Sequence, residues 1–314
     1  MGQIRIGVSA CLLGQPVRYD GEHKVYSWLS ETLAVHVELL GICPEVAIGL
    51  GVPRPPIQLV MAADTVRVRG VDAPHTDFTQ ALREYGVTVA LQTAAYSGFV
   101  FKKGSPSCGI QGVKRFRSTN EFEEDGVGMF AQQIMQQNPD LPVEDEAGLD
   151  DPYRRDNFLT RIFVMKRWQD IQQQGITPGA LLMFHQHHKF LYQAHHEGGY
   201  RTLGRMVAEM SDQDINIVAQ DYFKTMMQVL RQHVTRDSHV NVLTHIYGFF
   251  KTRVNDVEKR RVLQAIEKYH AGKLPLNVPI ESIKQCLQQY PDEYIAGQWY
   301  LEPYPTQLKL AEIL

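Results

Sequence analysis

Two hydrophobic periods divide the chain near its middle. In the first half, Ile4-Arg5-Ile6-Gly7-Val8-Ser9 and Val35–Ile42 read as buried strands, and Ile57–Met61 with Val66–Arg69 as a hairpin turning at Ala63-Asp64. Helical spacing runs from Thr76 to about Ser97, Gly98–Lys102 returns to strand, and Gly126–Gln137 reads as a last helix. Strands alternating with helices predict an α/β N-terminal domain on a mostly parallel sheet, residues 1–145.

Pro139, Pro142, the acidic run Glu144-Asp145-Glu146 and Asp150-Asp151-Pro152 break both periods and read as a linker. Beyond it, Arg154–Gln173, Gly179–His196, Leu203–Met210, Asp212–Val234, His239–Lys251, Val257–His270 and Pro279–Gln289 carry helical spacing. Residues 151–314 are therefore expected to form an all-α C-terminal domain. The aromatic, Pro-rich run Trp299–Pro305 reads as an extension docked on it.

Composition narrows the class. No apolar run approaches the roughly 20 residues of a membrane helix. Val8-Ser9-Ala10-Cys11 imitates a lipoprotein cleavage box, but too few residues precede it for the roughly 7–15 apolar residues of a signal segment. Four cysteines are too few for a disulfide scaffold in 314 residues, so the expectation is a cytoplasmic chain with reduced thiols. Nothing suggests a protein partner. A net charge of −3 gives no global field for nucleic acid. The second half is nevertheless the more basic, with 20 Lys and Arg against 19 Asp and Glu after residue 145, where the first half has 12 against 16. A local basic patch there remains open.

Cys11, Cys43 and Cys108 each follow a predicted strand and stand beside Gly or Pro, whereas Cys286 lies far along the chain in a helical stretch. Ligands of open α/β sheets bind beyond the carboxyl ends of the strands, where three separate loops can meet. A single such cysteine is commonly a small buried hydrophobe, but three at corresponding positions point to a shared metal site. Structural zinc favours four ligands in paired spacing. An iron–sulfur cubane on three thiolates would leave one iron open as a Lewis acid. From residue chemistry alone, the cluster and a three-thiolate zinc site stand level.

The residues also carry a resemblance. Ser9-Ala10-Cys11-Leu12-Leu13-Gly14 with Val17-Arg18-Tyr19-Asp20-Gly21, then Cys43-Pro44-Glu45 with Gly49-Leu50 and Pro53-Arg54, then Ser105-Pro106-Ser107-Cys108-Gly109, resemble the motifs of the thiouracil desulfurase family. The runs Phe184–Phe190, Asn241–His245 and Tyr300–Pro305 resemble the YbgA-type helical domain, and fusions of the two resemble tRNA 4-thiouridine desulfidases. The resemblance implies a [4Fe-4S] cluster on Cys11, Cys43 and Cys108, at the strand ends, whose fourth iron takes the substrate's sulfur. For the fused form it implies hydrolysis of the C=S bond of 4-thiouridine in tRNA to uridine and sulfide. The alternatives are a free thiouracil or thiopyrimidine substrate, or a non-enzymatic iron–sulfur or zinc protein that senses metal or redox state.

Such hydrolysis needs a carboxylate to activate water and a proton donor. Glu45, two residues after Cys43, is the candidate general acid/base, and Ser105 the candidate proton relay or substrate-orienting group. Ser105 would otherwise cap a turn before Pro106, and Asp20 is expected to hold Arg18. Lys102 and Lys103 near Cys108, with Lys189, Arg201 and Arg205 in the helical half, are candidate RNA phosphate contacts. His185, His187, His188, His195 and His196 crowd one predicted helix without a matching carboxylate or cysteine, and read as a packed, partly solvated face.

Overall fold

The computed structural model describes residues 3–117 and 121–308. Its chain forms two compact units, Met1–Asp151 and Pro152–Leu314. The first contains β1 (Arg5–Ser9), β2 (Glu38–Ile42), the one-turn α1 (Pro44–Ala47), a hairpin of β3 (Ile57–Ala62) and β4 (Thr65–Gly70), and α2 (Thr79–Gln92). These are followed by β5 (Gly98–Phe101), a hairpin of β6 (Val113–Phe116) and β7 (Phe122–Gly126), α3 (Met129–Gln137), β8 (Val143–Asp145) and α4 (Glu146–Asp150).

Four strands build a sheet of order β2-β1-β5-β8, parallel at every pairing. All four β5 residues are buried, the continuous run demanded of a strand covered on both faces. Phe99 and Phe101 stack at 4.0 Å, and Phe130 of α3 meets both rings edge-on. A second sheet, β4-β3-β6-β7, joins the two hairpins through a parallel β3–β6 pairing. The mostly parallel α/β architecture expected from the sequence is present.

Two local readings change. The β6–β7 hairpin escapes prediction because its strands are rich in charge rather than alternating; Arg115 holds Glu123 and Asp125 across the ladder. The expected linker is mostly structure. Val143–Asp145 pairs with β5, and Asp145 caps α4 by accepting the Gly148 amide at 2.7 Å, so the acidic run serves pairing and capping. The first unit consequently runs to Asp151.

The second unit is helical throughout its regular elements: α5 (Pro152–Gln174), α6 (Pro178–His195), α7 (Glu197–Ala208), α8 (Ile215–Leu230), α9 (Arg236–Gly248), α10 (Asp256–His270), α11 (Asn277–Gln289) and α12 (Glu293–Ala296). Side-chain caps fix several starts, including Thr177 before Pro178 on α6 and the Asn255–Glu258 capping box on α10. α6 is buried on two sides. Leu191 and Tyr192 join a core around Trp168 and Tyr222, while Phe190 and Ala194 join another around Phe250, Tyr269 and Tyr300. The terminal aromatic run is docked: the Trp299 amide donates to the His187 carbonyl at 2.9 Å, and Tyr304 donates to Asp156. Among the described residues no helix is long and apolar enough to cross a membrane.

Burial of the α6 histidines is expected to make this unit acid-sensitive. Burial pushes His185 and His195 down from the ordinary 6.5 to about 4. Between those values the unfolded chain binds protons that the folded rings refuse, so these two rings withdraw stability as pH drops through 6.5, and their share is complete below about 4. Each ring contributes a slope of roughly 1.4 kcal/mol per pH unit. The urea midpoint of the helical signal is expected to be lower at pH 5 than at pH 7, and the difference to shrink in His195→Asn. An equal pH dependence in that variant would show that this ring does not set the acid limit.

Candidate active site

Cys11 follows β1 in a tight turn closed by Gly14 at a φ of +84°, a left-handed conformation suited to glycine. Cys43 ends β2 as the N-cap of α1. Cys108 stands in the loop that leaves β5. Since β2, β1 and β5 are neighbours, the three thiols emerge together at the carboxyl edge of the sheet. They line one cavity of about 440 Å³ with Glu45, Arg54, Lys102 and Ser105.

The Cys108 loop is held from inside and behind. Ser105 Oγ accepts the amides of Ser107 at 3.2 Å and Cys108 at 3.1 Å, and the nearby Ser9 hydroxyl favours the Cys108 thiolate. Behind the loop, a Cβ on Gly128 would stand 2.6 Å from the Ser107 carbonyl and 2.8 Å from the Cys108 amide nitrogen, both rigid backbone. Gly128→Ala is therefore expected to displace Cys108 and to cost about 1–3 kcal/mol, the usual scale of overpacking. Iron content after anaerobic reconstitution should fall although Gly128 does not line the cavity. Full iron in a stable Gly128→Ala protein would show that the loop tolerates the shift.

Glu45 is fixed at both oxygens. Oε2 accepts Arg54 Nε at 2.9 Å and Nη2 at 2.8 Å, and Oε1 accepts the Ser107 hydroxyl at 2.9 Å. The Arg54 side chain is only 3% exposed. It also donates to the carbonyls of Gly51 and Val17, each at 2.9 Å, and so ties the Cys11 and Cys43 loops to the carboxylate. Neither Arg54 nor Ser107 is singled out by the sequence motifs as a working group. A buried arginine needs a carboxylate, and the Pro-Arg-Pro-Pro run at 53–56 is the signal that could have pointed to it.

Burial pushes the Cys11 thiol up to about 11 and raises Cys43 and, furthest, Cys108; neighbouring thiols and Glu45 add to the effect at Cys108. Metal binding must displace these protons, since thiolates are the ligands. Among the described residues no three His, Cys, Asp or Glu side chains are placed around a single ion. Three thiols around a roomy cavity suit a cluster, which spreads its ligands over several irons, better than one tetrahedral zinc.

The other sequence candidates fall in different places. Ser105 lines the cavity, its oxygen capping the loop while its own proton has no acceptor among the described residues. Arg18 pairs with Asp20 at 2.9 Å. Lys102 pairs with Glu146, and Lys103 is exposed at the cavity rim. In the helical unit, Arg201 pairs with Glu197 at 3.1 Å. Lys189 lies against the rings of Phe190 and Tyr294, and Arg205 is exposed. Cys286 is buried in the helical core and shares no cavity with the other three cysteines.

Comparison with known proteins gives these elements a family. The family model described as 2-thiouracil desulfurase matches residues 6–146, and that described as a protein of unknown function, DUF1722, matches residues 189–305. The uncharacterized protein YbgA of Escherichia coli (strain K12) is 31% identical over 156 residues, 49% of this chain and 92% of its own length. A solved [4Fe-4S]-dependent thiouracil desulfidase, TudS, is 32% identical, with 48% of this chain and 95% of its own covered at a TM-score of 0.38. The chain therefore belongs to the family of YbgA, and joins a 2-thiouracil desulfurase domain to a DUF1722 domain.

Proposed function

We propose that this chain is a [4Fe-4S]-dependent desulfidase that hydrolyses the C=S bond of 4-thiouridine in tRNA to uridine and sulfide. The observation that carries the reading is the meeting of three cysteines from three strand ends with Glu45 in one cavity of a 2-thiouracil desulfurase domain. Cys11, Cys43 and Cys108 would hold the cluster, which supplies a soft Lewis acid for the thiocarbonyl sulfur. Glu45 takes a proton from the attacking water through Oε1, which among the described residues accepts one other hydrogen bond. Arg54 and Ser107 keep that carboxylate from turning away. Ser105 offers its hydroxyl proton to the pyrimidine ring or the leaving sulfur. In the balanced reaction one water converts C=S to C=O and releases one hydrogen sulfide, with no net electron transfer.

The helical unit supplies the case for a polynucleotide substrate. In it, Lys189 and Arg205 have no carboxylate partner among the described residues and are available to phosphate, while Arg201 would exchange an exposed Glu197 for it; Lys103, in the first unit, is likewise without a carboxylate partner among the described residues. The test is anaerobic incubation of the cluster-loaded protein with 4-thiouridine-containing tRNA, followed by nucleoside analysis. Loss of 4-thiouridine with matching gain of uridine is expected. Conversion of free 2-thiouracil with the tRNA untouched would assign the activity to the free base.

A further inference from the structure

A second constellation lies within the helical unit. His195 of α6 and His239 of α9 line a small cavity walled by Leu191, Ala194, Val234 and Ile280. Its volume is about 70 Å³; on that scale one water takes roughly 10–15 Å³, so on the order of half a dozen heavy atoms fit.

The hydrogen bonds decide what each ring offers. His195 Nδ1 lies 2.8 Å from the Gln232 carbonyl oxygen, which only accepts, so Nδ1 carries the proton. Burial keeps the ring neutral, lowering it to about 4, and Nε2 is left as a bare acceptor. His239 Nδ1 lies 2.9 Å from the Tyr300 hydroxyl. Tyr300 is 4% exposed, and a proton on Nδ1 would strand the phenol's proton in the interior. Tyr300 therefore donates, and His239, also neutral through burial, carries its proton on Nε2. Neither Nε2 has a protein partner among the described residues.

The charged groups at this cavity and the adjoining recess have polar partners of their own. Tyr304 donates to Asp156, and Arg236 donates to the Tyr269 carbonyl at 2.6 Å while lying over that ring. The two imidazoles thus present one acceptor and one donor beside apolar walls, with Thr160 and Asn277 as the further polar side chains of the lining. We propose that this cavity binds a neutral single-ring heterocycle through a –NH–C(=O)– edge, the N–H donating to His195 Nε2 and the carbonyl accepting from His239 Nε2–H. Pyrimidine bases have this chemistry, whether free or turned out of an RNA strand. The inference stands independently of the desulfidase reading.

Ring-nitrogen NMR of the full chain, labelled with 15N-histidine, reads the site directly, because no histidine lines the cysteine cavity. Three probes are titrated: uracil, 1,3-dimethyluracil and oligouridylate. Uracil is expected to move the His195 Nε2 and His239 Nε2–H signals, and 1,3-dimethyluracil, which lacks the N–H, to bind at least tenfold more weakly. Shifts from uracil identify a free base as sufficient; shifts from oligouridylate alone identify a strand-borne base. His195→Asn and His239→Gln assign the signals and should each weaken the effective probe tenfold or more. If a variant fails to fold, the wild-type comparison still decides. Silence of both rings towards all probes, or equal binding of uracil and 1,3-dimethyluracil, would overturn the proposal.

Discussion

Cys43→Ala protein is expected to emerge from anaerobic reconstitution with almost no bound iron and no desulfidase activity, where the unaltered chain holds about four irons. The same result is expected for Cys11→Ala and Cys108→Ala. All three line one cavity, and removing any of them leaves two thiolates, too few to hold a cubane against loss to solvent. Cys286→Ala is the internal control. Its sulfur is buried in the helical core, 4.0 Å from Arg261, and its removal deletes packing and that weak contact. Iron and activity retained in Cys43→Ala, or lost in a folded Cys286→Ala, would break the ligand assignment.

Glu45→Gln should keep its iron and lose turnover by roughly 10²-fold or more, the usual scale for a general acid/base. The amide matches the carboxylate in shape, so substrate binding should change little and the effect should fall on kcat. Ser107→Ala separates position from chemistry. Without the hydroxyl that holds Oε1 at 2.9 Å, the carboxylate remains but is less restrained, so an intermediate loss is expected. Arg54→Ala should also reduce stability, because it leaves Glu45 without its buried partner. Turnover at the normal rate in Glu45→Gln would remove Glu45 from the reaction.

Much of this site is legible in the order of residues alone. Strand ends announce themselves because a parallel strand is apolar along its length and must stop at turn residues. Cys11, Cys43 and Cys108 therefore stand out at corresponding positions, and strand order brings them together. Pairings between charged side chains leave weaker traces. The β6–β7 hairpin is held partly by Arg115 and its acids, and β8 hides in an acidic run that resembles a linker. Arg54 and Ser107 are silent as functional groups because their meaning lies in Glu45, 9 and 62 residues away. The ion pair of Lys102 with Glu146 is equally hidden in the sequence, because Glu146 comes within reach only once β8 joins the sheet.

If the cysteine cavity hydrolyses C=S, the oxygen of the product comes from water and sulfide leaves without an electron donor. The anaerobic, iron-loaded protein is given a thiolated pyrimidine in 18O-labelled water, with no electron donor present. Sulfide and the oxygenated pyrimidine should then form in equal amounts, with one 18O at the carbon that carried sulfur. Sulfide release that depends on a reductant, or a product without the label, would rule out hydrolysis by this protein.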